Sequence, residues 1–390
     1  MTGSWAPAER IHHFGTSIFT EMTRLAERTG SINLGQGVPE LPSPPDILKH
    51  AATAIHAGRN QYPPATGLPE LKEAVARNRH ATTGVTYRPG DEVLVTTGAT
   101  EAVASALLAF CDPGDEVLTF DPCYDSYTAG ARMAGARVTT APLAVTADGF
   151  ALDVQALRRA VGPRTRVLLL NSPHNPTGKV FTPGELAQIA AVCEEHDLTV
   201  VTDEVYEYLV YDGARHVSLA SLPGMRERTL VISSAGKSLN VTGWKIGWAC
   251  GPAHLVAAVA SAKQFLTYAS GTPFQVAVAA MLTDGMSWVA GLRDQLQDNR
   301  DVLCEGLRKA GLPPFPGQGG YFVQVDVRPW GYEDGTRFCR ELPERAGVVA
   351  VPTSAFYQSA DAPAWLVRFG FCKGRDLLEE AVERLVAAAR

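Results

Sequence analysis

Ser233-Ser234-Ala235-Gly236-Lys237-Ser238-Leu239-Asn240-Val241-Thr242-Gly243-Trp244-Lys245-Ile246-Gly247-Trp248 places a lysine on a Ser/Gly-rich turn, with a second lysine eight residues on. This pattern suits an amine that engages an aldehyde cofactor carrying a phosphate. Lys237 takes the aldehyde, while the Ser234 hydroxyl and the Lys245 ammonium hold the phosphate. Two upstream segments fit the same chemistry: Asn171-Ser172-Pro173-His174-Asn175-Pro176-Thr177-Gly178-Lys179 and Asp203-Glu204-Val205-Tyr206.

Around these segments the chain reads as helix alternating with strand. Helical patterns cover 69–80, 99–111, 183–196 and 252–265. Strand patterns cover 92–97, 116–120, 166–170, 198–202, 229–232 and 246–250. The strands are short, apolar and β-branched without clear alternation, as expected of strands buried on both faces of a mostly parallel sheet. Alternating elements of this kind imply an α/β fold. After Gly285 a long helical pattern runs to about Ala310. Short strands then appear at 321–325, 348–351 and 365–369, with helices at 336–342 and 375–389, which read as a smaller α+β unit. Upstream, an amphipathic stretch at 18–28 leads through Ile32-Asn33-Leu34-Gly35-Gln36-Gly37 into a proline-rich passage at 39–45, read as a linker or rigid turn.

Composition narrows the function. The 390 residues are 46% hydrophobic and 19% charged, ordinary for a globular protein long enough for more than one domain. The net charge of -6, with no Lys/Arg block, argues against nucleic acid and an anionic surface, and favours a cytoplasmic protein. The seven cysteines are scattered, odd in number and never spaced Cys-x-x-Cys, so they read as thiols in a reducing compartment rather than a disulfide framework or metal site. Residues 1–10 lack the charged start and apolar core of a signal peptide. No apolar run reaches the roughly 18 residues of a spanning helix.

Several residues carry chemistry of their own. Asp203 ends an apolar strand, and ligands of α/β sheets lie at the carboxyl ends of strands. A carboxylate there either caps the following segment or holds a ring nitrogen in its protonated form. Tyr206, three residues on, favours the second role. Gly98-Ala99-Thr100 follows a strand and opens a helix, so its N–H groups face an anion or simply start the helix. Arg368 lies in the strand Trp365-Leu366-Val367-Arg368-Phe369, where an unpaired guanidinium is costly. It needs a buried protein carboxylate, or a substrate carboxylate bound in bidentate fashion.

Together these segments resemble the fold-type I pyridoxal-phosphate enzymes. More narrowly, they are similar to class I/II aminotransferases of the branch holding kynurenine/glutamine, methionine and N-succinyldiaminopimelate aminotransferases. Supporting runs include Asn33-Leu34-Gly35-Gln36-Gly37, Asn60-Gln61-Tyr62-Pro63-Pro64 and Ala346-Gly347-Val348. The resemblance implies an aspartate-aminotransferase-like fold. A large cofactor domain would span 46–285, and a small α+β domain would combine 1–45 with 286–390. It implies pyridoxal 5′-phosphate as cofactor, small amino acids and 2-oxo acids as substrates, and a homodimer.

The resemblance also assigns roles. Lys237 carries the cofactor and shuttles the proton. Asp203 pairs with its ring nitrogen, Tyr206 and Asn175 reach its 3′-oxygen, and Tyr124 stacks on its ring. Gly98, Ala99, Thr100, Ser234 and Lys245 hold its phosphate, with Tyr62 reaching across from the partner subunit. Arg368, Gly37 and Asn175 take the substrate α-carboxylate. Phe19 lines the pocket or faces the core. The chain departs from the kynurenine-type pattern at Val38, at Ser270-Gly271 and at Gly320 before Tyr321. Losing aromatic area there argues for a roomier pocket and a longer polar amino acid. Succinyldiaminopimelate or a non-proteinogenic amino acid would fit. Two other readings share these residues: elimination or oxidation on the same cofactor, and an effector-binding domain of a regulator.

Overall fold

A computed structural model describes residues 7–12, 14–15 and 18–389. The reading of 1–10 as free of a signal peptide falls partly on residues outside that set, as do the ends of the 1–45 and 286–390 segments.

An eight-stranded sheet forms the larger layer. Its spatial order is Val93–Thr96, Gly247–Cys250, Thr229–Ser234, Thr199–Asp203, Thr165–Asn171, Glu116–Asp121, Arg137–Thr146, Gly149–Leu152. The five strands from Thr229–Ser234 to Arg137–Thr146 pair in parallel. Gly247–Cys250 runs against both of its neighbours, and Gly149–Leu152 closes a hairpin on the far edge.

The central strands lack alternation because both of their faces are covered. Val167 and Leu169 point into one apolar cluster with the helices Gly98–Phe110 and Ala253–Lys263. Leu168 and Leu170 point into another with the helix Pro183–Glu195. That last helix starts where it does because Thr182 and Glu185 cap each other's backbone around Pro183.

A second sheet of four antiparallel strands follows the order Pro314–Phe315, Phe322–Asp326, Leu366–Gly370, Val351–Pro352. Ile32–Asn33 pairs in parallel with Val348–Val349. The strand expected over 348–351 is therefore two pieces, broken at Ala350, that serve different sheets.

Further elements differ from the sequence expectations. The proline-rich passage runs directly into a helix, Pro45–His56, with Pro45 in its first turn. The helix Thr272–Asp284 lies against the helices Pro45–His56 and Pro69–Thr83. It is apolar around much of its circumference, so the helical period is blurred. Asp125–Met133 is a further helix, and the long strand Arg137–Thr146 was not anticipated. None of the described helices is long and apolar enough to cross a membrane.

Candidate active site

Chain direction explains why the site forms. The carboxyl ends of the parallel strands share one edge of the large sheet; Asp203 ends one of them, and the segments leaving that edge carry Tyr124, Asn175 and Lys237. Gly247–Cys250 runs the other way, so its entry, with Lys245 just ahead of it, lies at the same edge. Gly98 opens its helix there too, after Val93–Thr96. A cavity of about 380 Å³ lies between this edge and the strand bearing Arg368. It is bordered by every expected site residue except Tyr62 and Tyr321.

Lys237 sits on the single helical turn Ala235–Ser238. Its Nζ donates to the Gly37 carbonyl at 3.3 Å and faces the rings of Tyr321 and Tyr206 at 5.3 and 5.8 Å. Among the described residues it has no carboxylate partner within ion-pair distance. Burial holds its amine below the ordinary lysine value; Arg368 and Lys245 push the same way, while Cys372 and Asp203 oppose. A depressed, unpaired amine is what a carbonyl-binding lysine requires.

Asp203 is buried at the end of Thr199–Asp203. Its Oδ2 accepts from the Tyr127 hydroxyl at 2.8 Å and its Oδ1 from the Val205 N–H at 3.2 Å. Burial pushes its carboxyl up to about 6, with these two hydrogen bonds pulling in the other direction. Tyr206 is buried beside it, and its phenol is held well above the ordinary value by burial.

Asn171 couples two neighbours: its Nδ2 donates to the Asp203 carbonyl at 2.8 Å and its Oδ1 accepts from the Asn175 N–H at 2.6 Å. Neither Asn171 nor Tyr127 was singled out in the sequence. Tyr127 lies three residues after Tyr124 in a run of polar and aromatic residues, which was the one available signal. Glu204 and Glu207 are buried and both bond Arg79, Glu204 at 2.8 Å.

The anion cradle is built from backbone. The helix Gly98–Phe110 has no side-chain cap, so its first N–H groups are available to a ligand. Gly98 has φ +77°, and a Cβ there would meet Lys245 Nζ at 3.2 Å. A Cβ on Gly247 would lie 2.7 Å from the Gly98 carbonyl carbon, so the two segments approach only as glycines. Ser234 completes this corner.

Arg368 is 2% exposed. Its Nη1 donates to Asn175 Oδ1 at 2.9 Å and its Nη2 to the Gly35 carbonyl at 2.8 Å, while its buried Nε has no partner. The guanidinium stacks 3.8 Å above Phe322. No carboxylate among the described residues pairs with it, which removes the buried protein ion pair as its explanation. Burial lowers it to about 10. Phe19 borders the cavity, edge-on to Phe356 at 5.6 Å.

Two expected residues lie elsewhere. Tyr321 is buried beneath Lys237, its hydroxyl donating to the Lys237 carbonyl at 3.0 Å, and Phe322 takes the place on the wall. It supports the lysine turn rather than meeting a ligand. Tyr62 is 83% exposed and packs edge-on against Tyr268, away from the cavity of its own chain.

The family model for aminotransferase class I and II matches residues 29–385. The chain belongs to the class I and II aminotransferases. A Mycobacterium tuberculosis protein named "Probable N-succinyldiaminopimelate aminotransferase" is 52% identical over 97% of this chain and 98% of its own. The solved structure of N-succinyldiaminopimelate aminotransferase from that organism superposes with a TM-score of 0.96, covering 98% of this chain and 100% of the other. The methionine aminotransferase of Escherichia coli is 36% identical over 97% of each chain. Aspartate aminotransferase of Thermus thermophilus, with maleate, has a TM-score of 0.91 at 33% identity, covering 98% and 100%.

The protein is thus an aspartate-aminotransferase-like, pyridoxal 5′-phosphate-dependent transaminase that moves an amino group between an amino acid and a 2-oxo acid in a ping-pong cycle. The geometry suits that cofactor at three points: an unpaired lysine amine, an uncapped helix N-terminus beside a second lysine, and a strand-end carboxylate in the same cavity.

Proposed function

We propose that the amino substrate is N-succinyldiaminopimelate or an amino acid of similar length and polarity. The 52% identity to the mycobacterial relative over nearly the whole chain carries this reading. The pocket rim supports it: Val38 stands there 51% exposed where the kynurenine-type pattern has an aromatic residue, which leaves room for a long side chain.

The bound cofactor supplies an aldehyde for the amino group and a protonated ring that draws electrons from the substrate Cα. In this proposal Lys237 would hold the cofactor through its aldehyde. Its Nζ would be the group that moves the proton of the substrate Cα. Asp203 holds the ring proton, and Tyr127 and the Val205 N–H hold Asp203. Tyr206 and Asn175 would donate to its 3′-oxygen, and Tyr124 would form a platform for its ring. Gly98, Ala99, Thr100, Ser234 and Lys245 take the phosphate. Arg368 would bind the α-carboxylate through its guanidinium, alongside Asn175 and the Gly37 backbone.

We further propose a large domain over 46–285 and a small one from 1–45 with 286–390. The active unit is a homodimer in which Tyr62 completes the partner's phosphate site. The exposed neighbours Phe265, Leu266 and Tyr268 support a buried contact there. Seven free buried cysteines favour a cytoplasmic location.

The test is a panel of amino donors followed by absorbance, with N-succinyldiaminopimelate, glutamate, methionine and kynurenine compared. The proposal expects N-succinyldiaminopimelate to have the highest kcat/KM and to yield an oxo acid with stoichiometric amino transfer. Preference for kynurenine or methionine, or release of ammonia in place of transfer, would contradict it.

A further inference from the structure

Lys373 lies just beyond the strand Leu366–Gly370, and its side chain is almost fully buried. Its Nζ donates to Glu40 Oε1 at 2.5 Å and to the Val38 carbonyl at 3.4 Å. Glu40 is itself half-exposed. A buried ammonium is costly without a counter-charge, so this pair holds residue 40 against the Lys373 segment.

The anchors of residues 34–43 divide between the two sheets. Leu34 accepts from the Gly370 N–H at 2.6 Å, Gly35 accepts from Arg368 at 2.8 Å, and the Glu40 N–H donates to the Cys372 carbonyl at 2.9 Å. Residues 34, 35 and 40 are therefore tied to the strand that bears Arg368. Beyond them, Asn240 Nδ2 donates to the Leu41 and Pro42 carbonyls, the latter at 3.2 Å, and Ser43 Oγ donates to the Asn240 carbonyl at 2.8 Å. Asn240 follows the turn that carries Lys237. The attachment changes sheet between residues 40 and 41.

Gly37 and Val38 lie inside the span between these anchors. Gly37 meets Lys237 and Val38 stands on the cavity rim. We infer that Glu40 and Lys373 are a positioning pair that fixes the Gly37–Val38 wall to the Arg368 strand, and so sets affinity for the amino acid substrate. The inference rests on the reading of Arg368 and Gly37 as the substrate carboxylate site. The pair touches no reacting atom. Its loss leaves that end of the wall on the backbone bond from the Glu40 N–H to the Cys372 carbonyl, and leaves Lys237, Asp203 and the phosphate cradle in place.

Glu40→Gln, Lys373→Met and the double variant test this in the holoenzyme. Glu40→Gln strands a buried ammonium, so it lowers Tm, and adding Lys373→Met restores Tm by removing that charge. The charge pair that clamps the wall is absent from all three. KM for N-succinyldiaminopimelate therefore rises about ten-fold in each and stays raised in the double variant, while kcat changes less than about three-fold. Amide exchange over residues 36–39, read without any substrate, accelerates about ten-fold in each. The inference is overturned if exchange over 36–39 is unchanged, or if KM recovers together with Tm in the double variant. Arg368→Lys is measured in parallel: if it leaves KM unchanged, the carboxylate-site reading fails; if it raises KM and the clamp variants do not, only the clamp fails.

Discussion

Arg368 Nη1 lies 2.9 Å from Asn175 Oδ1, and through this bond a strand of the four-stranded sheet meets a loop of the eight-stranded one. The guanidinium is buried, stacked on Phe322 and without a carboxylate partner. The missing anion is what a substrate would bring. Arg368→Lys keeps the charge and loses the planar fork. It is expected to lower kcat/KM for the amino substrate about a hundred-fold, chiefly through KM, while the cofactor dissociation constant changes little. Steady-state kinetics and a cofactor titration check this.

Tyr127 donates to Asp203 and favours its charged form. Tyr127→Phe removes the donor and keeps the ring. One hydrogen bond to a carboxylate changes its proton affinity by about one pH unit. The groups facing Asp203 from the other elements (Lys237, the Val205 N–H and Glu204) are unchanged. The acid limb of cofactor binding, measured as the dissociation constant against pH, should move up by about one unit relative to wild type. The comparison cancels the cofactor's own phosphate titration, which is common to both proteins.

Asp203 also sets a pH dependence of the cofactor-free protein. Its folded value of about 6 exceeds the ordinary 3.8, so between those values the folded state binds more protons than the unfolded one. Stability therefore falls as pH rises through this window, and the full cost persists above it. Asp203→Asn should raise the Tm of the cofactor-free protein by about 2–5 °C at pH 8 and leave it nearly unchanged at pH 4. Scanning calorimetry at both pH values checks the sign.

Arg79 lies beneath the site, bonded to Glu204, Glu207 and Ser218. The Arg79 guanidinium, with hydrogen bonds from His216 and Ser218, holds the Glu204 carboxyl well below the ordinary range against its burial. Arg79→Met leaves two buried carboxylates without their guanidinium. It should destabilise the protein by about 3–5 kcal/mol, read from urea unfolding at pH 7.5.

The central sheet was legible in the sequence because the stretch from Val167 to Leu170 is apolar on both faces, which only a covered parallel strand requires. Asp203 and Arg368 were legible as cavity residues because each sets a charged side chain at the end of, or inside, an apolar strand; Lys237 was legible on its Ser/Gly-rich turn, and Asn175 only through the family resemblance. Tyr127 was not, because its partner Asp203 is distant in sequence and only the fold joins them. Tyr321 could not be told from its neighbour in the sequence: it lies in the turn just ahead of the strand Phe322–Asp326 and its hydroxyl bonds the Lys237 carbonyl, while Phe322 borders the cavity. The helix Thr272–Asp284 was hidden because contacts with two other helices erase its polar face.

The central claim is that Lys237 carries the cofactor, and the most direct measurement is peptide mass mapping after borohydride reduction of the protein loaded with pyridoxal 5′-phosphate. The account predicts a single phosphopyridoxyl adduct, on the peptide containing Lys237, absent from Lys237→Ala. An adduct on Lys245 or another lysine in the wild-type protein, or none at all, would contradict it.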